Sequence, residues 1–96
     1  MLAYEDYNPW TSVSGRQIIC RMSAEMLERR KRFGRRIVQL RKECGLSQEG
    51  LALRAGLDRS YMGRIERGEQ SVSLDKIWEI ADALGTTPGD FFRETN

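Results

Sequence analysis

The side chains best equipped for chemistry in this sequence are guanidinium and ammonium groups, and they are unevenly placed. Residues 29–67 hold twelve Arg and Lys against Glu43, Glu49, Asp58 and Glu66, a local net charge of +8. Residues 1–28 set Arg16 and Arg21 against Glu5, Asp6, Glu25 and Glu28, for −2; residues 68–96 set Lys76 and Arg93 against six acids, for −4. The whole-chain value of +2 therefore conceals a basic middle between acidic flanks. Such a middle fits a polyanion partner or a solvated, salt-bridged face. Other chemistries are poorly supplied. Histidine is absent, which removes the commonest general base and a principal zinc ligand. Cys20 and Cys44 stand far apart, form no CxxC pair and cannot close a four-ligand zinc site, so buried or idle reduced thiols are expected over a disulfide. With no glycine-rich phosphate loop after a strand and no nucleophile beside a matched base, no enzyme, metal or cofactor is expected.

The elements that must position those cations belong to a small domain. A chain of 96 residues supports one domain with a tail, burying about 60–65% of its extended surface. Hydrophobic content of 40% and charged content of 31% fit an ordinary globular chain. No apolar run approaches the roughly 20 residues that span a bilayer. The opening MLAYEDYNPW lacks the basic and apolar regions of a signal peptide, so a cytoplasmic location without membrane attachment is expected.

Residues 1–14 mix aromatics, Pro9 and serines without a period and read as a flexible arm. Residues 15–30 can be helical, with Ser23 as a plausible N-cap. From Lys31 the signal strengthens: Phe33, Ile37, Leu40 and Cys44 form one apolar stripe, ended by Gly45. Ser47 caps a short helix whose Leu51, Ala52 and Ala55 face inward, and Gly56 stops it. Asp58 caps the next, with Met62 and Ile65 inward and Gly68 as terminator. Ser73 opens another, with Leu74, Ile77, Ala81 and Leu84 on one face, Trp78 at the core edge, and Gly85 after it. Thr87 and Pro88 start a last helix that ends on Phe91 and Phe92. The spacing predicts an all-α bundle of about five short helices. Within it, the helices Ser47–Ala55 and Asp58–Arg67 are joined only by Gly56-Leu57, a junction that suits either a helix-turn-helix or an ordinary helical corner.

Residues 33–92 resemble the Cro/C1-type (XRE) helix-turn-helix family. The ordered marks are Gly34, Ile37, Leu40-Arg41, Gly45-Leu46-Ser47-Gln48, Leu51-Ala52, Ala55-Gly56-Leu57, Ile65-Glu66, Gly68, Ile80-Ala81 and Leu84-Gly85. The resemblance implies a five-helix, lambda-repressor-like DNA-binding domain that dimerises on double-stranded DNA with two half-sites. Leu57-Asp58-Arg59-Ser60-Tyr61 followed by Ile65-Glu66-Arg67 is further similar to controller proteins of restriction-modification systems. Residues 31–96 would form that domain, and residues 1–30 an N-terminal arm, flexible or partly helical.

Under this resemblance Arg59 and Ser60 open the helix that enters the major groove, where an arginine fork matches guanine O6 and N7. Arg64 lies one turn further along the same polar face. The resemblance implies that Tyr61 meets DNA backbone or a thymine methyl and that Gln48 meets a phosphate. Arg35, Arg36 and Arg67 are expected as further phosphate clamps. Arg41 and Glu66 correspond to a structural ion pair that orients the recognition helix. Two departures stand out: Gly50 occupies a helical position, and Glu69-Gln70-Ser71 fills a loop where many relatives carry Lys or Arg. Phe91 and Phe92 point about 100° apart on a helix, so both cannot enter one small core equally. They are the residues expected at a two-fold interface. An antitoxin or anti-regulator that mainly binds a partner protein, through residues 1–28, is the alternative reading; no small-molecule ligand is implied.

Overall fold

The computed structural model describes the backbone of residues 15–93 and the side chains of residues 23–93. The arm expected at residues 1–14 and the thiol of Cys20 lie outside what is described. Four α-helices follow one another: α1 (Gly15–Glu43), α2 (Gln48–Ala55), α3 (Arg59–Glu66) and α4 (Leu74–Leu84). The fifth element, Pro88–Phe92, is a single 3₁₀ turn rather than an α-helix. Proline at its start and only five residues before the chain turns extended leave no room for more. No strand occurs among the described residues. No described helix is long and apolar enough to cross a membrane.

Helix starts are set by local chemistry. Ser47, Asp58 and Ser73 take extended backbone angles, and their side chains accept from the N–H groups of Gly50, Ser60 and Lys76. Each satisfies one of the amides that a first helical turn leaves without a partner.

The core gathers Phe33 and Ile37 from α1, Leu51, Ala52 and Ala55 from α2, and Met62 and Ile65 from α3. Ile80, Ala81 and Leu84 of α4 complete it with Phe91, whose ring stands edge-on to Phe33 at 5.4 Å. Helix α2 packs against α3 and α4, while α1 lies along α3 and the 3₁₀ turn. Glycine permits the α1–α3 approach: a Cβ on Gly34 would lie 2.4 Å from the Glu66 carbonyl oxygen and 2.6 Å from that of Ile65.

Several expectations are corrected. Ser23 is no N-cap: α1 runs unbroken from Gly15 to Glu43. Residues 23–32 contain only Ser, Ala, Glu, Met, Leu, Arg and Lys, with no glycine or proline to stop a helix. On α4 Ile80 joins the expected Ala81 and Leu84 in the core, whereas Leu74, in the first turn, is 67% exposed. Trp78 is half exposed. Cys44 falls past the end of the stripe and is exposed, its thiol 3.7 Å from the Leu84 carbonyl.

Candidate nucleic-acid interface

Helices α2 and α3 are separated by three residues, Gly56-Leu57-Asp58. Gly56 takes φ 71°, the left-handed conformation that lets the chain leave α2 abruptly. The Leu57 amide then donates back to the Ala52 carbonyl at 2.8 Å, closing the turn. Leu51, Ala52 and Ala55 are held against Met62 and Ile65 in one core. The opposite side of α3 faces outward and carries Arg59, Ser60, Arg64 and Arg67, all exposed. These four residues line one shallow cleft of about 550 Å³ together with Gln48 at the start of α2. Tyr61 is half-buried beside it, with the Arg64 guanidinium 5.7 Å from its ring centre.

The orientation of α3 is set from beneath. Arg41 on α1 reaches Glu66 by two parallel bonds, Nε to Oε2 at 2.8 Å and Nη2 to Oε1 at 3.0 Å. Their side chains retain 13% and 5% of their exposure. The carboxylate also accepts from Gln48 Nε2 at 2.9 Å, and Arg41 Nη1 donates to the Leu46 carbonyl at 3.1 Å. Three helices are thereby fastened through one buried carboxylate. Nothing in the spacing points to the Gln48–Glu66 bond, since 18 residues separate the partners.

The outer face is tuned at both ends. Asp58 caps α3 and accepts from the Ser60 hydroxyl as well as its N–H, which holds the Asp58 carboxyl below its ordinary range. Ser60 thus has a donor already committed within the protein. At the far end Arg67 Nε and Nη2 grip Glu69 at 3.0 and 3.2 Å, lowering the acid's pKa and raising the base's. Arg67 thus has an anionic partner beside it, although both side chains remain more than half exposed. No cluster of three or more metal-ligating side chains occurs among the described residues.

The helix-turn-helix family HTH_3 matches residues 37–91. The chain belongs to this family, whose members of Cro/C1 type are DNA-binding transcriptional regulators. Its α2–turn–α3 is the helix-turn-helix itself. The chain is 46% identical to control protein C.BamHI of Bacillus amyloliquefaciens, over 60% of this chain and 73% of that protein. It is 42% identical to control protein C.MunI of a Mycoplasma species, over 66% of this chain and 86% of the relative. Among solved structures, the restriction-modification controller protein C.AhdI from Aeromonas hydrophila superposes with a TM-score of 0.65 at 49% identity. That match covers 66% of this chain and 96% of the other, so a third of this helix-turn-helix protein has no counterpart there.

Not every residue singled out in the sequence joins the cleft. Arg35 pairs with Glu28 at 3.3 Å along α1. Arg36 turns to the 3₁₀ element, donating to the Asp90 carbonyl at 2.8 Å and to Gln39 at 3.1 Å. Its guanidinium ties α1 to the C-terminal turn. Phe91 is 1% exposed and belongs to the core, so it has no surface to offer an interface. Phe92 is 63% exposed, stacks obliquely on Phe33 at 5.4 Å, and borders an apolar groove with Met26, Val72 and Ile77.

Proposed function

We propose that this chain is a sequence-specific, double-stranded-DNA-binding regulator of the controller type, acting as a homodimer on a near-palindromic operator. The observation that carries the reading is α3 itself: an outward face bearing Arg59, Ser60 and Arg64, held at a fixed angle by a buried bidentate ion pair. A helix so presented fits the major groove, where its first turns meet base edges. Arg59, which has no hydrogen-bond or ion-pair partner among the described residues, is assigned to a guanine; Arg64 and Tyr61 to neighbouring base or backbone; Gln48 and Arg67 to phosphates. Arg35 stays in the proposal as a peripheral phosphate contact, whereas the bonds of Arg36 favour a structural role. Residues 31–96 act as the helix-turn-helix domain and residues 1–30 as a partly helical arm, of which residues 15–30 continue α1. The protein works in the cytoplasm, without enzymatic activity or cofactor, and its similarity to restriction-modification control proteins supports regulation of such genes.

Selection of bound sequences from random duplex DNA tests this. The expected product is a two-half-site motif bound with strongly salt-dependent affinity. Arg59→Ala loses roughly 1–3 kcal/mol at the selected site and relaxes preference at one base pair per half-site. Binding to no duplex at low salt would overturn the reading in favour of a partner-protein role.

A further inference from the structure

The recognition surface does not stop at the end of α3. Arg64 Nε approaches Gln70 Oε1 at 3.4 Å, which carries the outward face onto the loop after the helix. Gln70 and Ser71 in turn share the rim of one groove with Arg29 and Arg30 of α1. Gly68 is the hinge of this contact: a Cβ there would lie 2.7 Å from Lys31 Cγ and 2.8 Å from the Lys31 amide nitrogen. Lys31 is therefore packed against the end of α3, and Arg29 and Arg30 line a groove with the loop that follows it.

Their state of pairing differs from that of their neighbour. Arg67, nearest the loop, is gripped by Glu69. Arg29 donates to the Met26 sulfur at 3.3 Å but has no ion-pair partner, and among the described residues neither Arg30 nor Lys31 has one. The stretch Arg29–Arg36 contains six cations and no acid. Arg30 and Lys31, fixed on a rigid helix without ion-pair partners among the described residues, favour polyanion binding, because each phosphate they neutralise releases condensed counterions without breaking an internal bond.

We infer that Arg29, Arg30 and Lys31 on α1 form a second phosphate-binding surface, engaging DNA backbone beside the phosphates reached from α3. The inference rests on the DNA-binding reading above and adds to it a contact outside the helix-turn-helix. It assigns the basic turn of α1 a role in affinity, not in sequence choice.

The test compares the full chain with Arg29→Gln/Arg30→Gln/Lys31→Gln and, separately, Arg59→Ala. The probes are the duplex selected by the parent and an unrelated duplex of equal length, each titrated across a salt series. The triple variant is expected to weaken on both duplexes. Its slope of log K against log salt falls in magnitude by about 0.9 for every phosphate contact removed per bound chain. Arg59→Ala loses affinity on the selected duplex alone and keeps the parental slope. Ethylation interference should show sensitive phosphates for the parent that are insensitive for the triple variant. Unchanged slope and interference pattern, in a triple variant with parental helicity and melting, overturn this inference while leaving the DNA-binding reading intact. Parental failure to bind any duplex removes both. A triple variant that instead changes its sedimentation without DNA assigns these residues to an interface between proteins and likewise overturns the inference.

Discussion

The Glu66 carboxylate is where the recognition geometry is decided. It accepts from Arg41 twice and from Gln48 once, at 5% side-chain exposure. Taking charges out of water is expensive, and the pair is tolerable because its geometry is bidentate and the remaining donors are satisfied. Its removal is therefore costly in a way that an exposed pair such as Arg67–Glu69 is not. Glu66→Ala is expected to destabilise the fold by about 3 kcal/mol, since Arg41 is left desolvated without its anion. Glu66→Gln, which retains hydrogen-bonding atoms but no charge, should fall between. Denaturant unfolding measures both, and a Glu66→Ala protein within a few tenths of a kcal/mol of the parent would contradict the account. The residues of the outer face behave oppositely: Arg59 is exposed, and its truncation should be felt in binding and not in melting.

At the scale of elements, the caps and crossings govern how firmly α3 is presented. Asp58, Glu69 and Asp90 are all held below their ordinary values, chiefly by hydrogen bonds from the Ser60 hydroxyl, Arg67 and the Thr86 hydroxyl respectively. A carboxyl with a lowered folded-state pKa contributes stability that is present above its unfolded value and is lost as pH falls through the folded one. Thermal stability is thus expected to decline on acidification from about pH 5 downwards. An Asp58→Asn/Asp90→Asn protein should decline less steeply; superimposable pH profiles would exclude these two groups as the source. The crossing of α1 over α3 is stricter. Any Cβ at Gly34 meets two backbone carbonyl oxygens, neither of which can rotate away. Gly34→Ala is expected to cost roughly 1–3 kcal/mol by overpacking. Because relief requires α3 to shift, it should also weaken binding to the selected duplex beyond what the stability loss explains.

For the whole molecule the two adjacent phenylalanines have separate fates. Phe91 is sealed between α1 and α4, and Phe91→Ala should cost about 3–5 kcal/mol through the cavity it leaves. Phe92 lies on the surface against Phe33, beside an apolar groove that continues onto Met26. In the proposed dimer Phe92 meets its symmetry mate, and the two recognition helices stand about 34 Å apart, one turn of DNA. Phe92→Ala is accordingly expected to leave melting nearly unchanged while weakening self-association in sedimentation equilibrium. A parent that is monomeric at high concentration and binds one copy per selected site would exclude the dimer.

Much of this was legible in the residues alone, for a physical reason that differs by level. Ser47, Asp58 and Ser73 sat where caps were expected, because capping is settled within three residues of chain. The inward Leu51, Ala52, Ala55, Met62 and Ile65 followed from helical periodicity against a single core. What needed the tertiary structure were relations across distance in the chain. Periodicity ranked Leu74 above Ile80, yet Leu74 lies in the first turn of α4, beyond the reach of the core. Arg36 is expected as a phosphate clamp, but the return of the chain at Asp90 gives its guanidinium a carbonyl to bind. The choice of Phe91 over Phe92 as the core residue, and the seating of Lys31 on Gly68, depend on how whole helices meet. Local hydrogen bonding and amphipathic period are written in neighbouring residues; the pairing of distant charges and the close approach of backbones exist only once the helices are packed.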